Sequence, residues 1–186
     1  MRRTSVFIAA AGLIGVLVSH HPTALASLDQ PDTAAQKTAL LAPESIRTEH
    51  EAIHGALVEA TRAPGAVGAA AKELATVLHP HFVREEEIAL PPLGLLAPLA
   101  AGRTPAGMDE ALVMSDTLRK EMPRMLEEHT AIRAAVDKLL QVARQEKAEQ
   151  AVGVAEALAL HAKTEEEVLY PAALLVGDVI RARTKR

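Results

Sequence analysis

A histidine and a run of glutamates recur at one spacing in two distant parts of the chain. The first copy is His81-x-x-x-Glu85 and the second is His161-x-x-x-Glu165, 80 residues later; two more glutamates and then a proline follow in each. Residues four apart lie on one face of a helix. Each copy therefore predicts a helix that presents one imidazole and one carboxylate to the same place.

A second pair of echoes precedes the first pair. Glu49-His50 and Glu128-His129 lie 79 residues apart, and in both an Ala-Ile pair follows at the same distance. The whole unit therefore repeats: one helix with a single histidine, then one helix with the His-x-x-x-Glu spacing. This order predicts two equivalent helix pairs.

The composition and the apolar stripes agree with a helical protein. The 186 residues are 49% hydrophobic but only 2% aromatic, and Ala, Leu and Glu dominate, which favours helix over sheet. Stripes at helical spacing predict helices over 43–62, 66–89, 108–147 and 151–170, with a kink or break at Pro123 and a bend or end at Tyr170-Pro171. We predict an all-α, antiparallel up-down four-helix bundle built from two repeated helix pairs.

The N-terminus predicts export. Two arginines precede an uncharged apolar run of 14 residues, and Ala24-Leu25-Ala26 resembles a signal-peptidase site. The run is shorter than the ~20 residues that span a bilayer. The predicted organisation is a signal peptide 1–26, a disordered leader 27–42, a bundle 43–175 and a helical tail 176–186. The protein is then periplasmic or secreted, with no stable membrane span after cleavage; an uncleaved anchor is the alternative.

Composition also excludes several classes of function. There is no cysteine, so disulfides, thiolate metal sites and cysteine nucleophiles are excluded. The net charge of −4 gives no basic face for nucleic acid.

The glutamates on the apolar stripes predict a metal site. A carboxylate in an apolar stripe costs several kcal/mol unless it is paired or metal-bound, and the stripes carry no lysine to pair with Glu85 or Glu165. Imidazole with carboxylate and no sulfur suits iron, manganese or zinc. Two glutamates from different helices can each bridge two ions, which favours a dinuclear site over a single cation.

The order of these residues over four helices resembles the hemerythrin-like (HHE cation-binding) domain, across about residues 43–175. The resemblance implies a non-haem di-iron site with a bridging oxo or hydroxo group, and Glu85 and Glu165 as bridging carboxylates. The ligands that it implies are His50, His81, Glu85, His129, His161 and Glu165.

Two further residues are candidate ligands. Animal hemerythrins have a His-x-x-x-His pair on the third helix, where this chain has His129 and Arg133; here the pair is His50 and His54 on the first helix. His54 is therefore either a fifth histidine ligand or a core or rim histidine beside Arg133. Glu166 stands where those proteins have an aspartate, although the repeat favours Glu165; the other neighbouring glutamates are expected to form a solvated face.

The resemblance implies oxygen or a similar small diatomic molecule as the partner, for carriage, storage or sensing. Two alternatives stay open. One is a di-iron redox enzyme or iron-handling protein that acts on peroxide or nitric oxide, and the other is a bundle that binds one cation for stability.

Overall fold

The computed structural model describes residues 40–185, which contain helices and no strand. The predicted signal peptide lies outside these residues. The helices are α1 (Glu44–Ala60), α2 (Gly65–Ile88), α3 (Leu96–Ala100), α4 (Met108–Gln145), α5 (Glu149–Thr164) and α6 (Tyr170–Thr184). A 3-10 turn (Pro91–Leu95) precedes α3, and a π-helical turn (Glu165–Leu169) joins α5 to α6.

The four long helices form a closed bundle. Helix α1 packs on α2 and α5, and α4 packs on the same two helices from the other side. The connections 61–64 and 146–148 are too short for anything but antiparallel neighbours. The predicted all-α four-helix bundle is therefore confirmed. In this arrangement α1 is equivalent to α4, and α2 is equivalent to α5.

Two prolines lie inside long helices without ending them. Pro123 stands in the middle of α4 and Pro80 near the end of α2, and both are exposed. Proline cannot donate the backbone hydrogen bond of its turn. On the outer side of a helix the carbonyl left without this bond can turn to water. The predicted break at Pro123 is wrong for this reason, because α4 runs through it as one helix.

A wide turn follows the glutamate of each His-x-x-x-Glu copy. The backbone N–H of Leu90 donates to the carbonyl of Glu85 at 2.9 Å, and that of Tyr170 donates to the carbonyl of Glu165. An i→i+5 bond of this kind marks a π turn, which is often found at functional sites. The chain was predicted to bend or end at Tyr170-Pro171 and to form a helical tail after it; the π turn lies directly before these residues, and α6 begins with them.

Apolar layers lie on both sides of the level where the histidines meet. One layer includes Leu74, Leu139 and Leu158, and the other includes Leu118 and Met125. The histidine-bearing positions are therefore enclosed between two parts of the core.

The ends of the described chain also belong to the bundle. Leu40, from the predicted leader, packs against the buried cluster of Leu95, Leu99, Ala111, Val176 and Ile180. Helix α6 approaches α4 so closely that a Cβ at Gly177 would lie 2.6 Å from the Cβ of Ser115. Each helix within residues 40–185 is too short or too polar to cross a membrane.

Candidate metal centre

Six side chains from four helices converge in the middle of the bundle. They form two groups of four, and the ligand atoms within each group all lie within 4.8 Å of one another. One group is His50, Glu85, His161 and Glu165, and the other is His81, Glu85, His129 and Glu165. These are the six residues that the resemblance implies, and both groups use the same two glutamates.

Glu165 divides its two oxygens between the groups. Its Oε1 lies 2.7 Å from His161 Nε2 and 3.5 Å from His50 Nε2, whereas its Oε2 lies 3.3 Å from His129 Nε2. A carboxylate in this position can bind one cation with each oxygen.

Glu85 is divided in the same way, at longer distances. Its Oε1 lies 3.5 Å from His81 Nε2, and its Oε2 lies 3.9 Å from His50 Nε2. Within each group the two histidines face each other: the Nε2 atoms of His81 and His129 are 2.8 Å apart, and the other pair is 3.0 Å apart. Two imidazole nitrogens at this distance can share only one proton. At least one nitrogen of each pair therefore points a lone pair toward the other.

The burial of these groups demands a positive partner. Glu85 is fully buried and Glu165 is 1% exposed, and no Lys or Arg of residues 40–185 lies within 4.0 Å of either carboxylate. Glu85 Oε2 and Glu165 Oε1 have no hydrogen-bond partner. A buried oxygen in this state costs free energy, and a bound cation would satisfy both atoms. Nitrogen and oxygen donors without sulfur fit iron, manganese or zinc.

The pKa values show how the metal-free protein compensates. Burial and the negative charge of Glu165 raise the pKa of Glu85. Burial opposes charge on His81, but the nearby carboxylates of Glu85, Glu128 and Glu165 raise its pKa to about 9. Burial likewise opposes charge on His161, and Glu165 raises its pKa. Burial would raise the pKa of Glu165, but its contacts with His129, His161 and His50 hold it well below its usual range. Protons on histidines therefore take the place of a cation.

These pKa shifts predict that the stability of the metal-free protein depends on pH. A histidine whose pKa is higher in the folded state stabilises the fold below its unfolded pKa of about 6.5, and this contribution is lost as the pH rises through about 9 for His81. The metal-free protein should lose stability across this window, by up to about 1.4 kcal/mol per pH unit for each proton. Thermal melts from pH 6 to 9 measure the effect. The metal-loaded protein should show a flatter profile, and equal slopes would contradict this account.

A ring of outer carboxylates faces the second nitrogen of three of the four histidines. His81 Nδ1 donates to Glu128 at 2.9 Å, His129 Nδ1 donates to Glu166 at 2.8 Å, and His161 Nδ1 donates to Glu49 at 3.3 Å. These bonds fix the tautomer that turns the lone pair of Nε2 toward a metal, and they increase its basicity. Glu49 and Glu128 were not predicted. The repeat carried their signal, because both stand directly before a repeated histidine.

Glu166 therefore belongs to the outer ring and is not brought into either ligand group. Arg133 donates to the same carboxylate, which ties α4 to the π turn. Burial would raise the pKa of Glu166, but Arg133 and His129 lower it. The equivalent hydrogen bond is not made in the first helix pair. There, Glu86 lies 3.8 Å from His50 Nδ1, and this nitrogen has no hydrogen-bond partner.

Removing an outer carboxylate should weaken metal binding without abolishing it. Glu128→Gln keeps the shape of the side chain but removes the charge that faces His81. Such changes typically reduce metal affinity by about 10- to 100-fold. Competition with a chelator of known affinity measures the change. Glu127→Gln, on the exposed neighbour, is the matched control, and equal effects of the two variants would refute the role of Glu128.

The phenol of Tyr170 lies on one side of the centre, beside His81 and His129. Its hydroxyl donates to Glu85 Oε1 at 2.5 Å and lies 3.2 Å from His129 Nε2. The side chain is 1% exposed, and burial, Glu85 and Glu165 all raise its pKa, so it is a neutral donor. The equivalent residue of the first half, Leu90, cannot make this bond. The two halves of the centre are therefore chemically different.

Tyr170→Phe should destabilise the metal-free protein more than the metal-loaded protein. Without the phenol, Glu85 Oε1 loses its hydrogen-bond donor, and an unsatisfied buried acceptor costs about 1–3 kcal/mol. A metal ion on Glu85 would compensate for part of this loss. Chemical denaturation with and without metal gives the two values, and an equal loss in both would argue against coupling between Tyr170 and the centre.

His54 is not brought to the centre. Its side chain is exposed on α1, and it belongs to neither ligand group. Phe82 stacks on His50 with ring centroids 4.4 Å apart and, together with His54 and His79, lines a surface cavity. The hypothesis that His54 is a rim histidine agrees with this position.

Comparison with known proteins agrees with the geometry. The family model described as the hemerythrin HHE cation-binding domain matches residues 41–173. Searches of curated proteins and of solved structures gave no significant match. The matched region contains all six residues of the two ligand groups. The chain belongs to the hemerythrin HHE cation-binding domain family.

Proposed function

We propose that the two ligand groups bind two iron ions, bridged by Glu85 and Glu165. The observation that carries this proposal is that both groups share the same two carboxylates. A single cation could not use all four histidines, because each histidine pair lies with a different oxygen of Glu165. Iron agrees with the nitrogen and oxygen donors and with the family. A di-iron centre of this kind supplies reversible oxygen binding or redox chemistry.

We infer that the ligand is oxygen or a related small diatomic molecule. A cavity of about 280 Å³ reaches His50 from the surface. Its lining is mainly apolar, with the charged Arg47, Glu51 and Glu86 beside His50; the apolar residues are Leu40, Leu41, Ala42, Leu90 and Pro91. The apolar part of this lining would admit a small apolar molecule. Its position favours approach to the ion of the His50 group.

A redox enzyme that acts on peroxide or nitric oxide is the second candidate, and the position of His54 favours it. Two six-coordinate ions offer about 12 positions. Two bridging glutamates, four histidines and one bridging oxygen fill all but two of them. A fifth histidine would leave a single open position, as expected of an oxygen carrier. With His54 on the surface, the site is more open.

Anaerobic reconstitution with Fe²⁺, followed by optical spectra with oxygen and azide, separates these candidates. A carrier should show charge-transfer bands of an oxo-bridged di-iron centre that disappear when oxygen is removed. A redox enzyme should oxidise irreversibly and consume peroxide over many turnovers. A protein that takes up no iron from iron-rich medium would refute both.

We also propose that the protein is exported. The support is the basic, apolar and small-residue order of residues 1–26. Cell fractionation with N-terminal sequencing of the mature protein tests this, and an intact Met1 in the cytosolic fraction would contradict it.

A further inference from the structure

Two histidines of the described chain take no part in the buried centre, and they stand together. His54 on α1 and His79 on α2 are both exposed, and their ring centroids lie 6.2 Å apart. The other four histidines of residues 40–185 are 3% exposed or less. The pair is thus a separate cluster of imidazoles that bridges two adjacent helices.

A cavity connects this pair to the centre. It has a volume of about 200 Å³, and it is lined by His50, Glu51, His54, His79, Phe82, Val83 and Glu86. Its buried wall is His50, whose Nδ1 has no hydrogen-bond partner. The same histidine faces the buried centre with its other nitrogen, Nε2. The cavity therefore runs from two exposed imidazoles to an unsatisfied nitrogen of a metal ligand.

The groups in this cavity are those that bind a first-row divalent metal ion. A metal held at 2.0–2.1 Å from one nitrogen of each ring would place the two ring centroids about 5–6 Å apart. The observed separation of 6.2 Å is close to this value. Glu51 and Glu86 at the edge add negative charge, and neither has a Lys or Arg within 4.0 Å among residues 40–185.

We propose that His54 and His79 form a second, weaker site for a divalent transition-metal ion, with Glu51 and Glu86 at its edge. We further infer that this site collects ions on their way to the buried centre, an inference that rests on the proposed function. Two imidazoles and distant carboxylates hold an ion less tightly than the buried groups, which provide two histidines and two glutamates each. An entry site must bind the ion less tightly than the buried centre, so that the ion can move on to the centre.

In the second helix pair, the equivalent positions do not form such a site. The residues equivalent to His54 and His79 are Arg133 and Ala159. Arg133 holds Glu166 against His129, so that nitrogen is satisfied and no imidazole pair is present. The double variant His54→Arg/His79→Ala therefore copies residues that the same fold already accommodates, and it should fold normally.

Zn²⁺ titration of the iron-loaded protein tests the site. Isothermal calorimetry should show one additional Zn²⁺ per chain in the wild type, and the double variant should lose it while its iron content stays the same. The matched control, Glu59→Gln/Glu73→Gln, removes two exposed charges from the same helices and should keep the additional Zn²⁺. The site is refuted if the wild type binds no additional Zn²⁺, or if the double variant still binds it.

The entry role is tested by the rate of Fe²⁺ uptake into metal-free protein, followed by stopped-flow absorbance. The double variant should load several-fold more slowly than the wild type but reach the same final iron content. Equal rates would overturn the entry role. A lower final iron content would show that the pair supports the buried centre itself, and this would overturn the separation of the two sites. Failure of the proposed function is distinct, because the wild type would then take up no iron.

Discussion

Glu165→Gln is expected to remove both metal ions from the protein. Glu165 gives one oxygen to each ligand group, so an amide at this position deprives both ions of a charged ligand and leaves one negative charge where two were present. Metal analysis after reconstitution should fall from two ions per chain toward none. Glu85→Gln should have the same effect, because Glu85 is also common to both groups.

Glu167→Gln is the matched control for these variants. Glu167 lies two residues further along the same π turn but is exposed, and its variant should keep its metal. The metal-free variants should also differ in stability. Glu85→Gln removes a charge that burial disfavours, whereas Glu165→Gln removes one that three histidines stabilise. A Glu165→Gln protein that retains one ion would show that the groups act separately.

Removal of the metal should lower the thermal stability of the protein markedly. An ion that binds only the folded state stabilises it by about 4 kcal/mol at 1,000 times its dissociation constant. In a chain of this size, each kcal/mol shifts the melting temperature by about 2–4 °C. Two ions together should therefore give a shift of more than about 10 °C. Differential scanning calorimetry before and after chelation measures it.

The Glu165→Gln variant provides the control for chelation. It has no metal to lose, so the chelator should leave its melting temperature unchanged. A similar shift in both proteins would mean that the chelator acts elsewhere, and no shift in the wild type would mean that the buried groups do not bind a metal ion strongly.

The sequence predicted the fold and the convergence of the six inner side chains, because both depend on a repeated pattern. Helical spacing placed His81 with Glu85 and His161 with Glu165 on single faces, and the repeat implied that these faces meet. Such relations are local, or they follow from symmetry. They need no knowledge of how the side chains of different helices turn.

The parts that the sequence did not predict depend on contacts between helices. Glu128 binds a histidine of α2 and Glu49 binds a histidine of α5, so each acts across the bundle and not within its own helix. The contact of Tyr170 with Glu85 depends on the π turn, which adds one residue between Glu165 and Tyr170. A helical stripe predicted from the sequence assumes 3.6 residues per turn, so it does not account for this additional residue.

The equivalence of the two helix pairs has a consequence for assembly. Each ligand group takes residues from both halves of the chain: His50 and Glu85 from the first, His161 and Glu165 from the second, and the other group likewise. Neither half alone contains a complete group. The ions that we propose would thus act as a reversible cross-link between the halves. If the exposed connection at residues 101–104 were cut, the two fragments should associate more tightly with metal than without it.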